Sequence, residues 1–283
     1  MHLLVRETHG LDEGEAAVDL GQSPGDVVFL SFSDSDLRAM RAASPAPLEG
    51  EGRGEGCDAV SPSSFSPPTR ISLRLANLVR LRHPMSVDVY VEDVIAHSRC
   101  VVIRLLGGLD YWRYGAEEVA AICARNEIPL AIVPGDGRAD PRLAELSTMR
   151  PDLLARMDAL LAQGGPANMR AALALASHAA GLAPAPTSEA AEMPLFGEHP
   201  LELAGGSLAV IVFYRAYLLA ADMAPIEALA AALHAQGLGV RALYVASLKE
   251  PGCAAFVADT LRAWRPAVVL NATGFSATML DDG

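Results

Sequence analysis

Short apolar runs, each closed by turn residues, alternate with stretches of helical periodicity along most of this chain. Runs of that kind bounded by Gly, Pro and Ser read as buried strands, while apolar residues spaced i, i+4, i+7 read as one face of a helix. Residues 1–6 and 26–33 give two short strands, separated by an acidic segment and the Gly-Gln-Ser-Pro-Gly turn at 21–25. Residues 72–81 are apolar and helix-compatible. His83-Pro84-Met85-Ser86 then breaks the chain, with Ser86 the expected N-cap of a helix whose buried face is Val87, Val91, Val94 and Ile95. A strand over 100–106, a helix over 115–126 and a strand over 128–133 follow, then helices over 151–162 and 166–181. Residues 182–204, with four prolines and several acids, read as a linker. Beyond it, 207–214, 239–246 and 267–270 read as strands and 225–236 and 252–264 as helices. Strand-helix alternation predicts an α/β fold with two Rossmann-like or flavodoxin-like doubly wound parallel-sheet units. The first is expected to occupy 1–181; the second, over 205–283, breaks off after its third strand and is expected to be incomplete, as in a fragment of a longer protein.

One segment departs from the alternation. Residues 44–69 carry Pro45, Pro47, Pro62, Pro67 and Pro68 among glycines and serines and have almost nothing to bury, so a disordered insert is expected. The rest is globular in composition, with 51% hydrophobic and 20% charged residues. A net charge of −12 with no basic cluster excludes nucleic acid as a main partner. The start has no signal-peptide core and no apolar run is long enough to span a bilayer, which predicts a cytoplasmic protein. Cys57, Cys100, Cys123 and Cys253 are scattered without a CxxC pair, so free buried thiols are expected rather than a zinc site or disulfides.

Chemistry-bearing residues gather at two predicted strand ends. Arg104 interrupts the apolar strand at 100–106, and a guanidinium there must find a partner or reach a cleft. Gly107 and Gly108 turn the chain into Asp110-Tyr111-Trp112-Arg113-Tyr114, where open α/β sheets present loops to ligands. A ligand wall and a helix start pinned by aromatic packing both fit. In the second unit Phe213-Tyr214-Arg215-Ala216-Tyr217 repeats the recipe, either as a carboxylate or amide clamp or as tyrosines packed under a helix. Asn271-Ala272-Thr273-Gly274 ends the last strand and offers an amide and backbone N–H groups.

His83, in a His-Pro turn before a helix, is a candidate for proton or metal handling, or simply a capping residue. Asp88 and Glu92 share a helix face that either meets solvent or attracts a divalent cation, and His97 with Cys100 is too weak a spacing for a metal site. Dinucleotide, P-loop, HExxH and GxSxG motifs do not occur.

Ser72-Leu-Arg-Leu-Ala-Asn-Leu78, Leu81-Arg-His-Pro-Met-Ser-Val-Asp88, the Arg104-Leu-Leu-Gly-Gly108 turn with Tyr111 and Trp112, and Phe213-Tyr-Arg215 together resemble the N-terminal region of the large subunit of aerobic cobaltochelatase, in the CobN/magnesium chelatase H-subunit family. The resemblance covers nearly the whole chain except 44–69. It implies a tetrapyrrole-binding subunit of an ATP-dependent complex that inserts Co2+ into hydrogenobyrinic acid a,c-diamide in cobalamin biosynthesis. Partner subunits of AAA+ type would use the ATP and Mg2+, which agrees with the missing P-loop, and this stretch alone is expected to be inactive. A large flat macrocycle wants aromatic faces and fixed arginines, which makes Arg104, Tyr111, Trp112, Arg215 and Tyr217 the candidates for macrocycle contacts and His83 the local candidate for proton or metal handling, with no metal ligands assigned. Two other readings stand beside it: a magnesium chelatase subunit acting on protoporphyrin IX, and a two-domain small-molecule binding module without chemistry.

Overall fold

Strand β1 (Val27–Ser31) is apolar but for its last residue and fully buried. In the computed structural model, which describes residues 16–44 and 71–274, it lies inside a four-stranded parallel sheet with β2 (Leu73–Asn77), β3 (Cys100–Leu105) and β4 (Leu130–Pro134), in the order β2-β1-β3-β4. Helices α1 (Asp34–Ala43), α5 (Pro151–Gln163) and α6 (Gly165–Ala179) bury their apolar stripes on one face of this sheet. On the other face lie α2 (Pro84–Asp93), α3 (Arg113–Arg125) and α4 (Pro141–Leu146), so the first unit is doubly wound as the alternation predicts.

The second sheet runs β5 (Phe196–Leu203), β7 (Gly239–Val245), β6 (Leu208–Tyr214), β8 (Val268–Ala272). Here β6, β7 and β8 are parallel and β5 is antiparallel at one edge, so this sheet is mixed. Helix α9 (Pro251–Trp264) covers one face, and α7 (Arg215–Leu219) with α8 (Ala224–Ala235) covers the other. Among the described residues no helix is long and apolar enough to cross a membrane.

Several local expectations need correction. The stretch 72–81 is a strand followed by a 3₁₀ turn (Leu78–Leu81), not a helix. Its period is two: Leu73 faces one core and Ala76 the other. Arg74, buried between them, donates to the carbonyls of Ser23 and Pro24 at 2.7 and 2.9 Å. The N-cap of α2 is His83 rather than Ser86, because Pro84 takes the first helical position, where its missing N–H costs nothing. Ser86 sits in the first turn and its Oγ accepts from Val18 N at 2.8 Å. Within 182–204, read as a linker, residues 196–203 form β5. The strand expected over 1–6 and the insert over 44–69, Ser44 apart, lie outside the described residues.

Candidate functional site at the switch point of the first sheet

In a sheet ordered β2-β1-β3-β4 the chain winds one way from β1 and the other way from β3, which opens a crevice beyond the C-terminal ends of those two strands. Ser31 and Arg104 are register partners at those ends. Arg104 Nη1 donates to Asp36 Oδ1 at 2.6 Å, and the buried Ser31 hydroxyl donates to Asp36 Oδ2 at 2.8 Å. Asp36 is fixed in turn by its place in the first turn of α1, whose N-cap Ser33 accepts from Asp36 N. The side chains of Arg104 and Asp36 are only 16% and 14% exposed, so the strand arginine has found both a partner and a cleft. Only Nη1 of Arg104 is engaged among the described residues, and Nε is buried with no acceptor. Half-buried Asp158 on α5 is close enough to feel Arg104; burial pushes its carboxyl above the usual range and the guanidinium opposes that.

Arg104 and Asp36 line a cavity of about 170 Å³ whose far wall is Ala216, Leu219 and Ala220, contributed by α7 and its C-cap in the second unit. Arg38 on α1 pairs with Asp222, just past α7, at 2.9 Å and ties the two units together beside it.

The rim of the crevice is built by the loop after β3. Gly107 and Gly108 have φ of +80° and +73°, a region that favours glycine, and a Cβ on Gly108 would lie 2.9 Å from Asp140 Oδ2. That carboxylate accepts from Leu109 N at 3.0 Å, and Arg142 bridges Asp140 and Asp110 at 2.8 and 3.0 Å. Hydrogen bonds from Arg142 and from Leu109 N hold the Asp140 carboxyl far below the usual range. Arg113, then Arg142, hold Asp110 low in the same way.

The clamped loop presents Tyr111, which is 56% exposed. Phe32 packs edge-on against its ring at 5.0 Å. The Arg82 guanidinium stands 5.7 Å from the ring centroid and donates to the phenol oxygen at 3.1 Å. Val79 and Met85 flank Arg82 in sequence and are exposed with it.

Neighbouring Trp112 turns the opposite way. It is buried, its Nε1 donates to Leu81 O at 2.8 Å, and it lies so close over Gly115 that a Cβ there would approach its ring to 2.2 Å. Its surface is spent on the core. His83 caps α2, its Nδ1 accepting from Met85 N at 3.2 Å. Arg215 lies at the start of α7 and donates to Met193 O at 2.7 Å, which pins the segment before β5. Tyr217 packs against Phe213 in the core of the second unit. Asp88 accepts from the Tyr114 hydroxyl at 2.6 Å, and Asn271 Oδ1 accepts from Thr273 in a local turn. The structure therefore brings His83, Arg104 and Tyr111 to one end of one sheet and leaves Arg215 and Tyr217 in the other unit. Among the described residues no group of three or more His, Cys, Asp or Glu is placed to hold a metal ion.

Sequence reasoning missed Asp36, Phe32 and Arg82. The first two follow β1 directly, and the position of a loop after the first strand of a doubly wound unit was the signal available for them. Arg82, next to His83, had no local signal.

Residues 159–283 match the family described as CobN/Magnesium Chelatase. The chain is 33% identical over 301 residues to the aerobic cobaltochelatase subunit CobN of Sinorhizobium sp and 34% identical over 289 residues to that of Pseudomonas aeruginosa. Each alignment takes in 98% of this chain but 22% of the relative, so the chain spans about a fifth of the length of the curated relatives it matches. Among solved structures, the catalytic subunit of cobaltochelatase from Mycobacterium tuberculosis superposes with a TM-score of 0.62 at 26% identity, covering 82% of this chain and 17% of that one.

Proposed function

We propose, since the chain belongs to the CobN/magnesium chelatase family, that it forms the N-terminal part of the tetrapyrrole-binding subunit of a cobalt chelatase. The observation that carries the reading is likeness to two cobaltochelatase subunits along 98% of the chain. The metal delivered is Co2+ and the macrocycle is hydrogenobyrinic acid a,c-diamide. AAA+ type partner subunits hydrolyse ATP with Mg2+, and the complex works in the cytoplasm. This stretch alone binds macrocycle without inserting metal. Its two α/β units divide near residue 181, with β5 belonging to the second.

A flat ring carrying carboxylate and amide arms wants an aromatic face and fixed cations. Tyr111 supplies the face, with Arg82 held against it and Arg104 deeper in the crevice. Trp112 supports the loop from behind, while Arg215 and Tyr217 hold α7 as the opposing wall. Insertion must also remove two pyrrolic protons, a task for a base at the rim. His83 is the group we assign to it: with Nδ1 accepting from Met85 N the neutral ring carries its proton on Nε2, so the ring takes up a pyrrolic proton at Nδ1, releasing the cap bond as it does so.

Absorbance titration with hydrogenobyrinic acid a,c-diamide and with protoporphyrin IX tests the reading. The corrinoid is expected to bind more tightly, and Tyr111→Ala to weaken it by about tenfold, the scale of one lost aromatic contact. Tighter porphyrin binding would replace cobalt with magnesium, and no binding of either would leave a docking role for this region.

A further inference from the structure

We propose that the cavity between the two units is a subsite for a primary carboxamide, held by Arg104 and Asp36. The inference rests on the tetrapyrrole reading for the molecule that carries the carboxamide, but the subsite itself is argued from the cavity alone.

Three observations define what fits. The first is size: about 170 Å³, five to six times the ~30 Å³ share of one water, suits a short arm of a few heavy atoms and excludes a macrocycle. The second is the wall. Apart from Asp36, Arg104 and Ser35, the cavity is lined by Ala, Leu, Met and Gly, which suits a methylene stem with a polar tip. The third is the balance of donors and acceptors. Arg104 uses one of its three guanidinium nitrogens on Asp36, leaving N–H groups without acceptors among the described residues. Asp36 accepts one hydrogen bond on each oxygen and has lone pairs to spare. A ligand tip that both accepts from the guanidinium and donates to the carboxylate completes the set. A primary carboxamide has one acceptor oxygen and two N–H donors.

Charge separates the amide from the acid of the same shape. One guanidinium faces two carboxylates, Asp36 in contact and Asp158 within electrostatic reach, and the Arg38–Asp222 pair beside them is neutral in sum. A carboxylate tip would add a third negative charge to one positive charge in a place mostly withdrawn from water. A neutral amide avoids that, so the subsite favours an amide tip over an acid of the same shape. It lies beside the rim that carries Tyr111, since both adjoin the C-terminal ends of β1 and β3.

The test uses the 283-residue chain labelled with ¹⁵N and two small probes, propionamide and propionate, with the Arg104 Nε–H resonance as readout. Propionamide is expected to shift that resonance saturably and to bind about tenfold more tightly than propionate, the scale of one unit charge at short range in a partly buried site. Ala216→Leu fills the cavity from an exposed helix position and is expected to abolish the shift while leaving the rest of the spectrum in place. Asp158→Asn removes one negative charge and is expected to narrow the preference for amide over acid. Equal or tighter propionate binding, a shift that survives Ala216→Leu, or no shift with propionamide overturns the subsite. The macrocycle titration is read separately. Propionamide binding without macrocycle binding sinks the tetrapyrrole reading and keeps the subsite; macrocycle binding that Ala216→Leu leaves unchanged, with no propionamide shift, does the reverse.

Discussion

Removing Asp36 while keeping Arg104 tests whether the crevice is held by a buried ion pair or only decorated by one. In Asp36→Ala the guanidinium loses a charge-assisted hydrogen bond of 2.6 Å, worth about 2 kcal/mol. The Ser31 hydroxyl, fully buried, loses its acceptor as well. Stranding a buried cation and a buried hydroxyl adds about the same again, for a total of about 4 kcal/mol, inside the ~3–5 kcal/mol typical when one partner of a buried pair is deleted. The double variant Asp36→Leu/Arg104→Met removes both charges and fills the space with apolar atoms, and buried pairs replaced in this way often lose little. It is therefore expected to be more stable than Asp36→Ala alone. Urea unfolding followed by circular dichroism on the parent, Asp36→Leu, Arg104→Met and the double variant closes the cycle, with Asp36→Ala measured beside them. A loss under about 1 kcal/mol in Asp36→Ala, or single losses that add to the double within about 0.5 kcal/mol, would refute the reasoning.

Three further outcomes follow from named contacts. Gly115→Ala puts a Cβ within 2.2 Å of the buried Trp112 ring and is expected to cost about 3 kcal/mol and to shift tryptophan emission to the red; an unchanged spectrum and urea midpoint would show that the ring can move aside freely. The hydrogen bond from Tyr114 to the Asp88 carboxylate pushes the phenol up to about 12, because ionisation would break that bond and set two anions together. A folded value above the unfolded one means that this contact stabilises the fold fully below about pH 10 and is lost as pH rises through about 12. Asp88→Asn should bring the Tyr114 titration, followed by ultraviolet absorbance, back toward 10.0, and an unmoved titration would exclude the carboxylate as the cause. Burial pushes the thiols of Cys100 and Cys123 up to about 12, so neither should alkylate in the native protein at pH 8, and both should react after unfolding; native labelling of either by mass mapping would contradict their burial.

Those contacts also show where sequence pattern carries information and where it stops. The central strands were legible because a run such as Cys100–Leu105 has no polar alternative but to lie between two helical layers. Helices α3, α8 and α9 were legible from their periodicity and their flanking glycines and prolines. Residues 72–81 were misread because Leu-Arg-Leu-Ala fits both periods over so short a run. What decides for a strand is tertiary, the anchoring of Arg74 on the carbonyls of Ser23 and Pro24 and of Ser72 on Asp26. Strand β5 was hidden for a related reason. It sits at an edge with alternating exposure, so only half its residues face a core, and Pro200 within it argued for a linker.

The site divides along the same line. Position after a strand end located the crevice, since that rule depends only on the order of elements. It could not assign the adjacent aromatics Tyr111 and Trp112 their opposite faces. That choice is made by Gly115, which leaves room for the indole, and by Leu81 O, which takes its N–H. Once Trp112 is inside, the next aromatic back along the chain is turned outward against Phe32 and Arg82, which makes the buried tryptophan the reason that Tyr111 is exposed. The same logic applies to Arg104. A charged residue in a core strand announces that something must meet it, and its partner Asp36 lies 68 residues away, so the chain's order of strands had to be settled before the pair could be seen. The sheet order that sets the pair also sets the cavity beside it, with α7 of the second unit as its wall. A ligand group taken up there would touch both units at once, beside the contact that Arg38 and Asp222 already make between them.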